Sequence, residues 1–203
     1  MILYESVGPN PRVVKMFAAE KGLTLDTRSV DIMSGENRAA PYLGIHRGGT
    51  TPALVLDDGS TLAETTAICE YLEERQPDPV LIGSTPEERA RTRMWVRRID
   101  LNITTPMTIG FRGAEGRPMF EPRMRVICAE GAADLKSMAA EGLKAIEEEL
   151  GDGWIAGDRF TLADIVLFSF VEFGAMVGQP LPSDCTRLAA WRERVAARPS
   201  AGA

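Results

Sequence analysis

The chain predicts two domains of different class, a small α/β domain followed by a larger all-α domain. Three observations carry that expectation. Up to about residue 80, short apolar runs alternate with helix-spaced segments, whereas almost everything beyond it repeats at helical spacing. Gln76-Pro77-Asp78-Pro79 breaks the chain between the two regimes. The 203 residues suit one large or two small domains, at roughly 150 residues per domain. The boundaries fall at 1–78 and 84–203.

Ile2-Leu3-Tyr4 is the first strand. Val13, Val14, Met16, Phe17 and Ala18 recur at helical spacing and stop at Gly22, a natural helix terminator. Leu23–Ile32 alternates as a second strand, and Ala53-Leu54-Val55-Leu56 is a third. Asp57-Asp58-Gly59-Ser60 supplies a hairpin turn with its own positive-φ glycine. A helix through Ala67, Ile68, Tyr71 and Leu72 closes the domain, so the order is βαβ, then ββα. Beyond the breaker, Thr85-Pro86-Glu87-Glu88 opens a helix. Thr85 can cap, Pro86 suits the first helical position, and Glu88 can close a capping box. That helix passes Met94, Trp95, Ile99 and Leu101 until Pro106 kinks or ends it. Met124–Leu150 is helical by spacing and stops at Gly151-Asp152-Gly153. Thr161-Leu162-Ala163-Asp164 opens an apolar helix, Ile165–Val177, whose pattern predicts burial on most sides. A last helix runs from Thr186 past Leu188, Trp191 and Val195.

Composition excludes several functions. With 23 Lys+Arg against 29 Asp+Glu, the net charge is −6 and the pI near 5.0, without the basic footprint of a nucleic-acid binder. One histidine, His46, and three scattered cysteines, Cys69, Cys128 and Cys185, are too few for a His- or Cys-ligated metal centre. The cysteines read as buried, reduced thiols. The start lacks the layout of a secretory signal, and no apolar run reaches the length of about 18 residues that a spanning helix needs. The expectation is a soluble cytoplasmic protein with no metal, no nucleic acid and no membrane partner.

Three segments in order resemble the cytosolic glutathione transferase family. They are LYESVGPNPRVVKMFAAEKG at the start, TPALVLDDGSTLAETTAICEYLEER from Thr51 to Arg75, and FTLADIVLF from Phe160 to Phe168. The resemblance implies a thioredoxin-like N-terminal domain, an all-helical C-terminal domain, and glutathione as co-substrate. It further implies a detoxifying transferase that acts on a small hydrophobic electrophile and works as a homodimer. Thr51-Pro52 would be a cis pair whose Thr51 backbone groups meet the extended tripeptide as an added strand does. The plainer reading is that the pair starts an edge strand. Thr65 at a helix start suits the γ-glutamyl carboxylate, and Glu64 suits the ammonium. Alternatively, both residues simply cap their own helix. Thr50 stands where similar proteins carry a longer polar residue, and His46 and Arg47 are either ligands of the glycyl carboxylate or solvated loop charges.

The sulfur contact departs from the family pattern. Set against its Ser-Pro-Asn-Ser-Arg opening, Gly8-Pro9-Asn10-Pro11-Arg12 has glycine where the serine would stand. Asn10 and Ser6 are the candidate catalytic donors; Asn10 would otherwise cap the first helix with Pro11 at its first position. The electrophile would lie between the domains, with Asn102, Thr105, Met107 and Phe111 as candidates by position. Arg89, Arg91, Arg93, Arg97 and Arg98 form a basic cluster on that helix, a solvated face or a subunit seam. Two other functions stay open. One is glutathione-dependent reduction of disulfides or peroxides, in which bound glutathiones supply the sulfurs because the loop has no cysteine. The other is a non-catalytic interaction module.

Overall fold

A computed structural model describes residues 1–203 as two compact units, Met1–Ile82 with Pro199–Ala203, and Gly83–Arg198. The first unit is a four-stranded sheet of order β2-β1-β3-β4. β1 (Ile2–Glu5) runs parallel to β2 (Asp26–Ser29) through the crossover helix α1 (Pro9–Glu20). β3 (Ala53–Val55) returns antiparallel to β1, and β4 (Thr61–Ala63) pairs with β3 across a turn in which Gly59 takes φ 83°. A short helix α2 (Ala40–Ile45) precedes β3, and α3 (Thr65–Arg75) follows β4. Sequence periodicity missed α2 because it is little more than a turn long. β2 is also shorter than Leu23–Ile32 and exposed throughout, since it forms a sheet edge.

α1 and α3 pack on each other, and their fully buried Val13, Val14, Phe17, Ile68 and Leu72 join Leu3 and Leu54 of the sheet. Residues 199–203 pack with this unit and not with the helical one that the 84–203 boundary assigns them. Arg12 donates to the Ala201 carbonyl at 3.0 Å, and Ser200 Oγ bonds the Glu20 carboxylate.

The second unit is all-helical. α4 (Pro86–Ile99) starts with the reciprocal Thr85–Glu88 capping box. It reaches Pro106 only through a change of helix type. The α-geometry ends at Ile99, a π-helical turn spans Asp100–Thr104, and Pro106 opens α5 (Thr105–Gly113). The Thr105 N–H reaches the Asp100 carbonyl, a π-type bond that replaces the α-bond it would otherwise make to Leu101. After α6 (Arg117–Phe120), helix α7 covers Ala129–Glu149, so residues 124–128 lie outside the helix expected to begin at Met124. Cys128 is consequently exposed, whereas Cys69 and Cys185 are buried.

α8 (Leu162–Met176) is the central helix, buried over most of its length, with α4 and α9 (Thr186–Ala196) packed on it. Its capping box uses Asp164 in place of glutamate. The carboxylate accepts from the Ile155 N–H (3.0 Å), the Thr161 N–H (2.9 Å), the Thr161 hydroxyl (3.1 Å) and Trp191 Nε1 (2.9 Å). Burial pushes the Asp164 carboxyl above its ordinary pKa, against the pull of those four donors. No helix is long and apolar enough to cross a membrane.

Candidate functional site

Ser6-Val7-Gly8-Pro9-Asn10 turns the end of β1 into α1. Gly8 caps the helix at φ 130°, ψ 170°, a backbone region essentially restricted to glycine. A serine there would carry conformational strain although its Cβ would meet nothing within 4 Å. With Pro9 and Pro11 at the first and third helical positions, the first three residues of α1 hold a single backbone N–H, that of Asn10. Asn10 is not the cap that its position before Pro11 suggests, because the helix starts two residues earlier than that reading needs. Its side chain instead crosses to α3, where Thr65 Oγ1 donates to Asn10 Oδ1 at 3.2 Å. That contact turns the amide's two N–H donors away from Thr65.

Ser6 is 5% exposed, and its hydroxyl bonds that of Thr51. Thr51-Pro52 is cis, with Pro52 buried. The β1–β3 ladder begins at Ala53, which pairs with Tyr4, so the Thr51 backbone N–H and C=O lie outside the register. Upstream, the Tyr42 hydroxyl donates to the Thr50 carbonyl at 2.5 Å, and His46 Nε2 lies 3.0 Å from Thr50 Oγ1. Burial, reinforced by the neighbouring Tyr4, pushes the Tyr42 phenol up to about 12, so it stays a proton donor. Asn37 Nδ2 holds the Gly49 carbonyl at 2.6 Å. Tyr42 and Asn37 shape this loop, and nothing in their sequence spacing singled them out.

Glu64 caps α3 with φ 69°, the one non-glycine residue of positive φ, and its side chain is exposed. No side chain caps α3. Its first helical bond is Ile68 N–H to the Glu64 carbonyl at 3.0 Å, which leaves the N–H groups of Thr65, Thr66 and Ala67 open. Glu64 and Thr65 therefore do not cap their own helix through their side chains. One end of the first unit thus gathers Ser6, Asn10, Thr51, Pro52, Glu64 and Thr65. Asn10 and Thr65 touch, as do Ser6 and Thr51. The arrangement offers amide N–H donors, an open helix N-terminus for an anion and an exposed carboxylate for a cation.

The four electrophile candidates do not converge. Met107 is 1% exposed and lies against Gly174 of α8, so it belongs to the helical core. Phe111 is half-buried, edge-on to Phe120 and Phe173. Asn102 is exposed, donates to the Arg98 carbonyl at 2.9 Å, and with Arg98, Met138 and Gly142 lines a shallow cavity of about 330 Å³. Thr105 is exposed, with its hydroxyl 3.5 Å from Asp100 Oδ1. In the arginine cluster, Arg97 pairs with Asp100 and Arg98 with Glu149, the latter stacked over Trp95. No group of three or more His, Cys, Asp or Glu side chains is disposed to hold a metal ion.

Residues 7–75 match the family model of the glutathione S-transferase N-terminal domain, and residues 129–199 that of the C-terminal domain. The chain is similar to Glutathione S-transferase 2 of Saccharomyces cerevisiae, at 32% identity over 98% of this chain and 87% of that protein. Among solved structures, Gtt2 of Saccharomyces cerevisiae matches with a TM-score of 0.91 and 31% identity, covering 100% of this chain and 99% of that one. A glutathione S-transferase domain-containing protein of Marinobacter aquaeolei matches with a TM-score of 0.91 and 34% identity, covering 98% and 99%.

Proposed function

The chain belongs to the glutathione S-transferase family and is a glutathione transferase; from that premise we propose that it binds glutathione on its first unit, stabilises the thiolate and directs it at a small hydrophobic electrophile. The observation that carries this reading is the pairing of Asn10 with Thr65 beside an uncapped α3. The γ-glutamyl carboxylate takes the open N–H groups at the start of α3, and its ammonium takes Glu64. The cysteinyl backbone pairs with the N–H and C=O of Thr51. The sulfur accepts from Asn10, whose side-chain amide and backbone N–H both lie in the first turn of α1. Ser6, buried and bonded to Thr51, is a positioning residue that ties the end of β1 to the Thr51-Pro52 turn.

The magnitudes suffice. Lowering a thiol from a pKa of about 8.5 to about 6.5 requires roughly 2.7 kcal/mol. A hydrogen bond to a charged group gives about 1.5–3 kcal/mol, and Asn10 offers two kinds of donor. The thiolate then attacks the electrophilic carbon, forming the carbon–sulfur bond while the leaving group departs with its electron pair. Holding both reactants in attack geometry contributes the remainder. The same reading makes the working protein a cytoplasmic homodimer.

Calorimetry with glutathione and S-methylglutathione tests the reading. Proton release near neutral pH with the thiol, and none with the thioether, is expected, together with conjugation of an aromatic halide. No binding of either ligand at millimolar concentration overturns it.

A further inference from the structure

We infer that the buried Tyr42 hydroxyl sets the direction of the Thr51 backbone N–H, which makes Tyr42 a positioning residue for the tripeptide; this inference rests on the proposed glutathione-binding reading. The segment before Thr51 has little stiffness of its own. Gly48 and Gly49 adjoin, Gly49 takes φ 61°, and glycine has the widest backbone freedom of any residue. Two side chains supply what the segment lacks. Asn37 Nδ2 donates to the Gly49 carbonyl at 2.6 Å, and the Tyr42 hydroxyl donates to the Thr50 carbonyl at 2.5 Å. Both holders are buried, so the two carbonyls are drawn inward.

A trans peptide is planar, with its C=O and N–H on opposite edges. The cis bonds of the chain are Thr51-Pro52 and Asp78-Pro79, so the Thr50–Thr51 peptide is trans. One hydrogen bond to the Thr50 carbonyl therefore fixes the Thr51 N–H as well. With that carbonyl held by a buried phenol, the N–H points the opposite way, out of the loop. Neither it nor the Thr51 carbonyl takes part in a hydrogen bond within the first unit. Ser6 meets the Thr51 hydroxyl and His46 meets the Thr50 hydroxyl, side-chain contacts that leave the peptide plane between them free to rock. Tyr42 grips the plane itself. Its phenol, pushed up to about 12, keeps its proton for this bond across the working pH range. A phenylalanine would fill the same space and leave the Thr50 carbonyl without its donor, a costly state for an inward-facing group. The plane would then turn to find another partner and carry the Thr51 N–H with it.

The test is a cycle between Tyr42→Phe and the ligand. Calorimetry compares S-methylglutathione with its alkene analogue, in which a trans carbon–carbon double bond replaces the cysteinyl–glycine amide. The analogue lacks the cysteinyl carbonyl that the Thr51 N–H would meet. On the unmodified protein it is expected to bind about tenfold more weakly than S-methylglutathione. Y42F is expected to weaken S-methylglutathione by about three- to tenfold, the size of one hydrogen bond, and the alkene by less than about twofold. That difference measures the coupling between the phenol and the ligand carbonyl. A general loosening of the loop would lower both affinities by the same factor. Asn37→Ala frees the Gly49 carbonyl one peptide earlier and goes through the same cycle, with a smaller coupling of the same sign expected. Should Y42F not fold, the coupling in N37A decides.

Equal losses for the two ligands overturn the inference and leave Tyr42 as a packing residue, with the transferase reading intact. Unchanged affinity of Y42F for both ligands overturns it in the same way. An alkene that binds the unmodified protein as tightly as S-methylglutathione removes the Thr51 N–H from the site; the inference then falls and the sulfur role of Asn10 is untouched. If the unmodified protein binds neither ligand, the proposed function falls as well.

Discussion

The Lys21 ammonium, at the end of α1, is buried against the Glu73 carboxylate of α3, with the two side chains 0% and 3% exposed. Lys21 Nζ also donates to the carbonyls of Pro77 (3.0 Å) and Pro79 (2.5 Å), and Glu73 Oε1 accepts the N–H groups of Leu81 (3.1 Å) and Ile82 (2.8 Å). The pair thus fastens the breaker segment to the two helices that present Asn10 and Thr65. Removing one partner of a buried pair leaves an uncompensated charge and costs about 3–5 kcal/mol. Lys21→Met is expected to destabilise by that amount in urea denaturation. Adding Glu73→Gln removes the stranded charge and keeps an amide oxygen for Ile82, so the double variant recovers part of the loss. A double variant weaker than K21M by the full cost of a second lesion would show that the two side chains act independently.

Gly8 gives a purely conformational prediction. Its φ of 130° disfavours any side chain, and a Cβ built there meets nothing within 4 Å. Gly8→Ser and Gly8→Ala should therefore destabilise equally, each by about 1–3 kcal/mol, and neither should raise the conjugation rate. A serine variant that conjugates faster than the unmodified protein would mean that the loop relaxes to present a hydroxyl to the sulfur.

The features legible in the sequence are those whose cause is local. Thr85 with Glu88, and Thr161 with Asp164, announce helix starts because both partners of each capping box lie within three residues. Gly59 marks the hairpin because the turn needs its positive φ. The Thr51-Pro52 and Glu64-Thr65 segments were legible through resemblance, as a set. What could not be read depends on contacts distant in the chain or on a backbone angle. The Asn10–Thr65 bond joins residues 55 positions apart, and the strain at Glu64 has no signature in residue type. Met107 is a cleft candidate by position alone, and its burial against Gly174 of α8 is a contact with a residue 67 positions away that position could not show. Cys128 is apolar in composition only; the late start of α7 leaves it in the open.

Glu64 pairs a strained backbone with a side chain that the proposed function needs. A residue held at φ 69°, ψ 117° stores about 1–3 kcal/mol, more than the roughly 0.5–1 kcal/mol that glycine costs in chain entropy. Glu64→Gly is therefore expected to raise the thermal midpoint while weakening glutathione binding. Glu64→Gln keeps the strain and loses the charge, so it should weaken binding without any gain in stability. Thermal scans and calorimetry on the two variants check this. Equal stability of E64G and E64Q would mean that the neighbouring turn, and not the side chain's Cβ, sets the unusual angle.

Glu88 supplies a pH dependence with a definite sign. Hydrogen bonds from the Ser84 N–H and hydroxyl, and then from the Thr85 N–H, hold its carboxyl below the ordinary glutamate range, with Arg159 adding to the effect. A carboxyl with a depressed folded-state pKa prefers the native chain when ionised. Its contribution is therefore complete above the unfolded value of about 4.3 and declines as falling pH protonates the unfolded chain first. It is gone once the pH passes below the folded value. Glu88→Gln keeps an oxygen to accept from Ser84 and Thr85 and removes the titration. Urea midpoints of the two proteins should differ at pH 7, with the unmodified chain more stable, and the gap should close as pH falls through and below about 4. A gap that stays constant from neutral to acid pH would assign the capping-box contribution to hydrogen bonding alone, with none from the charge.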